Sequence, residues 1–353
     1  MSARRIAVWI ALFFALTPLA AFAADRPSLP PDAKRPLPVR LALRVLNIAE
    51  LNQVAGKARL ALEITLRWTD SRVAYDELKV GAPRVDRIGP EAEDYVKGIW
   101  TPGLTIENQI SPTQTRTLAI STYATGDVTM VDRFEADFRI APDMSGFPFD
   151  RQSVPLTFYL RHYAKADAAL VVSEADRNLS TLPVTMTALN WRALGLSFAY
   201  EHAKGWNARD YQGVEATIRL ERLSNRFLLR ILVPIGAALL ISIFVMWMPG
   251  LSSKDKGGLV VSALLALTAL SFTFENSFPG SISLNSPVAK IISLAYLYLM
   301  LVLLADSLLG GPSENAASRY RGLAGELRRQ LRWAMPAIML VLCADILLRS
   351  AAV

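Results

Sequence analysis

Between Val39 and Arg222, apolar and polar residues alternate along short segments, among them "LALRVLNI", "ARLALEITLRW", "FEADFRI", "VPLTFYL" and "VEATIRLERL". A period of two gives a strand one buried and one solvated face, and the Gly, Pro, Asn and Asp residues between segments supply turns. The pattern predicts an antiparallel sandwich or barrel over residues 39–226, assigned as an all-β, immunoglobulin-like sandwich of about ten strands. After Asn225 the pattern changes. "FLLRILVPIGAALLISIFVMWM" (Phe227–Met248) is long enough to cross a bilayer, which takes about 20 residues. Further apolar runs follow at Gly257–Phe274, Val288–Leu309 and Leu331–Leu348, so residues 227–353 are predicted to form a four-helix transmembrane bundle. The second run holds Ser262, Thr268, Ser271 and Thr273 and is the helix expected to avoid lipid.

Residues 1–23 begin with Arg4 and Arg5, continue through an apolar run and end in small residues, Ala21 and Ala23, which is the form of a cleaved export signal. Residues 24–38, "ADRPSLPPDAKRPLP", read as a linker. An exported start followed by four crossings leaves both mature ends outside and two connections in the cytosol. Those connections hold Lys254, Lys256, Arg319, Arg321, Arg328 and Arg329, whereas the outer connection "ENSFPGSISLNSP" has neither Lys nor Arg. That asymmetry follows the positive-inside rule, although Arg226 and Arg230 on the outer side run against it.

A mean hydropathy of +0.29 agrees with a chain partly embedded in lipid. The net charge of +7 does not change this picture, because the basic residues are scattered and several flank apolar runs; nucleic acid is not an expected partner. Cys343 is the only cysteine, so the exported domain must stand on its core without an internal disulfide. His162 and His202 invite a catalytic reading, but no H-E-x-x-H, G-x-S-x-G or Gly-rich phosphate loop accompanies them. No catalytic residue, metal ligand or cofactor site is assigned.

The second apolar run carries a sharper signal. Alternating steps of three and four from Asp255 reach Gly258, Ser262, Leu265, Ala269, Phe272 and Asn276. Helices lining a common axis present such a stripe. Repeated around an axis, Asp255 becomes an acidic ring that favours cations and Leu265 an apolar constriction able to close by dewetting. A carboxylate facing water also avoids the cost of entering lipid, about 2.5–3.5 kcal/mol at the bilayer centre. The alternative is a packed bundle in which Ser262 and Thr268 bond backbone carbonyls. On the stripe alone, both readings stand.

Several motifs now occur in order: "RWTDSRVAY" (Arg67–Tyr75), "IWTPGLTIEN" (Ile99–Asn108), "FPFDRQ" (Phe147–Gln152), "LVPIG" with Pro234, "SALLALTAL" (Ser262–Leu270), and Pro279 in the following loop. Together they resemble the pentameric ligand-gated ion channels, the Cys-loop receptor superfamily, over nearly the whole mature chain. The two cysteines of that family's signature loop fall by ungapped counting at Ile140 and Val154, a lack shared with bacterial members. The short connection Gly310–Leu327 is also similar to theirs.

The resemblance implies a multi-pass homopentamer in a bacterial inner (plasma) membrane, with the N-terminal domain in the periplasm, embedded in lipid and passing monovalent cations. Its pore residues would be Asp255, Gly258, Ser262, Leu265, Ala269 and Phe272, with Lys254 and Lys256 flanking Asp255 and weakening its field. Counting from the motifs gives Glu63, Glu107, Arg161 and Tyr211, with Trp206 nearby, as ligand positions. That set suits a small polar, zwitterionic or amine ligand, or a response to protons; the alternative is that these are solvated strand charges. Transmission to the pore is implied at Phe147, Pro148, Phe149 and Asp150, with Asp150 aimed at Arg222, Glu50 supplying a second acid and the loop of Pro279 resting against them. A periplasmic binding or sensor module whose helices only pack is the competing reading.

Overall fold

The computed structural model describes residues 28–204, 208–248, 251–283, 285–309 and 318–351. Export-signal positions 1–23 and Trp206 lie outside the described residues. Ten strands occur among the described residues: β1 (Leu37–Asn52), β2 (Lys57–Thr69), β3 (Arg84–Ile88), β4 (Leu104–Ile106), β5 (Gln114–Tyr123), β6 (Asp127–Arg139), β7 (Arg151–Leu160), β8 (Ala168–Val171), β9 (Trp191–Lys204) and β10 (Asp210–Arg222). Short helices α1 (Glu77–Val80), α2 (Pro90–Gly98) and α3 (Glu174–Leu179) bridge them. Four long helices follow: α4 (Asn225–Trp247), α5 (Ser253–Ser277), α6 (Pro287–Leu309) and α7 (Ser318–Ala351).

Alternation produces the sheets. Along β7 the residues Gln152, Val154, Leu156, Phe158 and Leu160 all turn inward, and the residues between them are partly or fully exposed. The order β3-β5-β6-β2-β1-β8 forms one sheet and β4-β7-β10-β9 the other. Pro155 sits in β7 beyond the stretch paired with β4, at a sheet edge where its missing N–H is tolerated. One pairing departs from the antiparallel expectation: β8 lies parallel to the start of β1, with Leu37 opposite Ala168. The chain enters β8 by crossing from the four-stranded sheet to the other, so it arrives in the direction of β1.

The two inner faces share a core that includes Leu41, Leu43, Leu60, Leu62, Leu156, Phe158, Ile218 and Leu220. Each such side chain contributes about 1.5–3 kcal/mol when fully buried. The tryptophans of the W-x-D and W-x-P motifs belong to this core: Trp68 and Trp100 meet edge to face at 5.8 Å, and Trp100 Nε1 donates to Tyr163. The segment expected as a linker packs in part against the sandwich, through Leu29 and Ala33.

All four long helices are long and apolar enough to cross a membrane. Each is longer than its apolar run predicted, most of all α7, whose charged N-terminal part continues the helix ahead of Leu331. A second core holds the bundle together, and Met144 and Phe147 of the sandwich enter it. The FPFD loop therefore joins the two halves of the chain.

Candidate functional site

Asp150 closes the loop just before β7, and Arg222 is the last residue of β10, three positions before the start of α4. The β7–β10 register brings them together: Glu221 pairs with Arg151, and the Arg222 amide donates to the Asp150 carbonyl at 3.2 Å. Their side chains then form a bidentate pair, Arg222 Nε to Asp150 Oδ1 at 2.6 Å and Nη2 to Oδ2 at 3.0 Å. Asp150 is 3 % exposed and Arg222 4 %. Such a buried pair persists only when the remaining polar atoms are bonded. Here Gln152 Nε2 donates to Asp150 Oδ2 at 2.7 Å, and the guanidinium is ringed by Trp191, Phe147, Phe227 and Phe278 at 4.2–5.7 Å. Arg222 Nη2 also approaches Met144 Sδ at 3.7 Å.

Phe147 is fully buried and stacks on Phe278 at 4.7 Å, with Phe227 edge-on at 5.6 Å. Pro148 follows through a cis bond and is buried, while Phe149 is half-buried outside this cluster. Pro279 itself is exposed; its neighbour Phe278 makes the contact to the loop.

The acid expected from the first hairpin is placed differently. Glu50 is exposed, accepts from Asn52 Nδ2 and stands opposite Arg59. Gln53 is the hairpin residue that reaches the junction: with its amide oxygen turned toward the guanidinium, it accepts from Arg222 Nη2 at 3.0 Å. The turn that positions Gln53 is closed by Gly56 at φ +61° and by the Ala55 amide donating to Asn52 Oδ1. Sequence reasoning missed Gln53, Met144, Gln152 and Trp191. For Gln152 the signal was present, since its place two residues after Asp150 turns it to the same inward face.

The expected ligand positions separate into two groups. Glu107, Arg161 and Tyr211 line one recess of about 360 Å³ on the four-stranded sheet, together with Thr105, Tyr159, Ala203 and Lys204. Glu107 and Arg161 also border an adjoining cavity of about 650 Å³. Tyr159 was not predicted, yet it is central. A Cβ on Gly213, its register partner, would fall 2.5 Å from the Tyr159 ring, so the absent side chain is what lets the ring lie across β10. Burial, a hydrogen bond to Glu201 and the nearby Glu107 and Glu215 charges push its phenol up to about 12, so it stays neutral.

Glu63 belongs to the other sheet. It lies on β2 between Arg44 of β1 and Arg133 of β6, bonded to both. Burial alone would raise its carboxyl, but the Arg133 and Arg44 guanidinium groups outweigh that and hold it below the ordinary carboxylate value of 4.5.

In α5 two stripes run along opposite faces. Lys256, Val260, Ala263, Leu267 and Phe274 are buried against the other helices. Asp255, Gly258, Ser262, Leu265, Ala269, Phe272 and Asn276 are all exposed within the chain, Leu265 at 65 % and Phe272 at 68 %. Ser262 Oγ donates to the Gly258 carbonyl at 2.9 Å and Thr268 Oγ1 to that of Leu264 at 2.9 Å, so both hydroxyls are satisfied by their own helix. Asp255 has a local role as well: the N-cap Ser252 accepts from its amide and donates to its carboxylate at 2.7 Å.

Among the described residues no group of His, Cys, Asp and Glu is arranged to hold a metal ion. The profile of the neurotransmitter-gated ion-channel ligand binding domain matches residues 24–224. The chain is 25 % identical over 318 residues to the proton-gated ion channel of Gloeobacter violaceus, covering 88 % of this chain and 83 % of that protein. It is 22 % identical over 258 residues to the acetylcholine receptor subunit delta of Mus musculus, and 21 % over 257 residues to the neuronal alpha-3 subunit of Rattus norvegicus. These matches cover 69 % and 71 % of this chain but 48 % and 49 % of the receptor subunits, so the chain spans about half their length. A profile match over most of the chain, a ten-stranded sandwich and four helices fit to span a membrane place this protein in the pentameric ligand-gated ion channel family, the Cys-loop superfamily, whose members are channels and not enzymes.

Proposed function

We propose that the chain forms a homopentameric, ligand- or proton-gated channel of a bacterial inner membrane, with the sandwich in the periplasm, α5 lining a cation-selective pore and the agonist site at subunit interfaces. One observation carries the pore assignment. The α5 stripe that begins at Asp255 and passes through Leu265 makes no packing surface inside the chain, while the opposite stripe does. Polar positions left exposed by their own bundle are what an aqueous axis between subunits requires. A ring of identical subunits closes by head-to-tail contacts, which join unlike faces. That geometry accounts for Glu63 standing on one sheet and the Glu107–Arg161–Tyr211 recess on the other, so a neighbouring subunit would bring the two together.

The recess mixes carboxylate, guanidinium and phenol groups, which suits a small zwitterion or amine. A response to protons is supported by the likeness to the proton-gated ion channel of Gloeobacter violaceus. Glu107 is the carboxylate that lines the recess, beside a Tyr159 phenol that stays neutral. The test is purified protein in planar bilayers, with currents recorded against pH and candidate amines, and reversal potentials taken in asymmetric salt. Cation-selective current is the expected result. Absence of current under every condition, with intact ligand binding, would leave a periplasmic sensor module instead.

A further inference from the structure

A carboxylate inside an apolar membrane helix is costly unless it is paired, and marks a task. Asp306 is such a residue: it lies in α6 and is 8 % exposed. Its Oδ1 accepts from Lys256 Nζ of α5 at 3.0 Å and from Arg328 Nη2 of α7 at 3.1 Å. Three helices therefore meet at one oxygen. Lys256 is 6 % exposed, which takes its charge off the surface, whereas its neighbours Lys254 and Asp255 are both exposed.

The position of Lys256 gives the cluster more than a packing role. It follows Asp255 directly, and a lysine on a flexible four-carbon stem can swing over the helix end if nothing retains it. We propose that Asp306 is a selectivity-positioning residue of the channel: it holds the Lys256 ammonium inside the bundle, so that permeating ions meet Asp255 with one flanking positive charge, Lys254, rather than two, and Arg328 anchors Asp306 from the far side. Lys256, read from the chain as weakening the Asp255 field, is thereby neutralised away from it. The inference rests on the proposed pore lining by α5.

The experiment compares Asp255→Asn, Asp306→Asn and Lys256→Gln/Asp306→Asn in a Leu265→Ala background, whose widened constriction is to conduct without a known agonist. Reversal potentials are measured in a potassium chloride gradient. Asp306→Asn is expected to lower cation-over-anion permeability about tenfold, since five unpaired ammonium groups then act on the pore mouth. The double variant is expected to recover the parent value, which a merely structural loss would not do. If Asp255→Asn alters selectivity and Asp306→Asn does not, the inference is overturned and the pore reading survives. If no variant conducts, or neither single variant alters selectivity, the pore reading fails and the inference falls with it. A second measurement covers the case in which Asp306→Asn does not assemble. A water-soluble amine reagent on the parent protein should modify Lys254 and spare Lys256, and equal reactivity of the two lysines would overturn the proposal.

Discussion

Asp150 and Arg222 meet in a two-pronged ion pair, 2.6 and 3.0 Å long, sealed beneath four aromatic rings at the boundary between sandwich and helices. One partner comes from the loop that dips into the bundle core through Phe147, and the other from the strand that runs on into α4. Any movement of β10 relative to the FPFD loop must carry this pair or break it.

Removing one charge leaves the other buried and unpaired, at a cost of about 3–5 kcal/mol. Asp150→Asn should therefore impair assembly or gating, read as loss of pentamer on size exclusion or loss of current from channels that reach the membrane. A normal current from well-assembled Asp150→Asn would contradict a role in transmission. Glu50→Gln, by contrast, should have little effect, because Glu50 is exposed and its bond runs to Asn52.

For the recess, Glu107→Gln and Arg161→Ala should each shift the half-activating concentration of agonist or protons. Gly213→Ala should do so as well without touching any charge, since its new methyl group would collide with the Tyr159 ring. Unchanged dose–response curves in all three would remove the recess as the agonist site.

Glu63 gives a signed pH dependence. Its folded pKa lies below the usual 4.5, so its stabilising contribution is complete above that value and is lost as the pH falls through the lower folded value. Relative to Glu63→Gln, the parent should be more stable at pH 7, by roughly 2–4 °C in Tm for each kcal/mol, and the difference should shrink below the usual value. A gap that stays constant down to strongly acidic pH would show that the Arg44 and Arg133 bonds contribute no charge-dependent stability.

On the proposed pore lining by α5, Leu265→Ser should raise leak current by wetting the apolar constriction expected at that position. Gly258→Ser should lower unitary conductance while leaving assembly intact: a Cβ there meets nothing within 4 Å, and serine is the better helix former. Loss of assembly from Gly258→Ser would mean instead that the glycine serves close packing between subunits.

Much of this architecture follows from periodicity. Alternation over residues 39–226 specifies strands with one buried face, and apolar runs of about 20 residues specify spanning helices, because both signals are written into neighbouring residues. The departures come where distant segments choose each other. The parallel β1–β8 pairing and the packing of Leu29 against the sandwich depend on where the chain returns, which no local pattern records.

The site divides along the same line. By itself the sequence determined that Asp150 and Arg222 stand at the ends of strand-like segments and that Asp255, Ser262 and Leu265 share one face of α5, since strand ends and helical spacing are local properties; that Asp150 faces Arg222 was implied by the family resemblance alone. Only the tertiary structure decided that Trp191 and Gln53, rather than Glu50, complete the Arg222 cage, that Glu63 is engaged by two arginines on the sheet opposite the recess, and that Lys256 turns inward to Asp306. The physical reason is that a charged side chain takes the partner that best offsets its desolvation, and that partner is set by which faces pack together, 72 positions apart for Asp150 and Arg222 and 50 for Lys256 and Asp306.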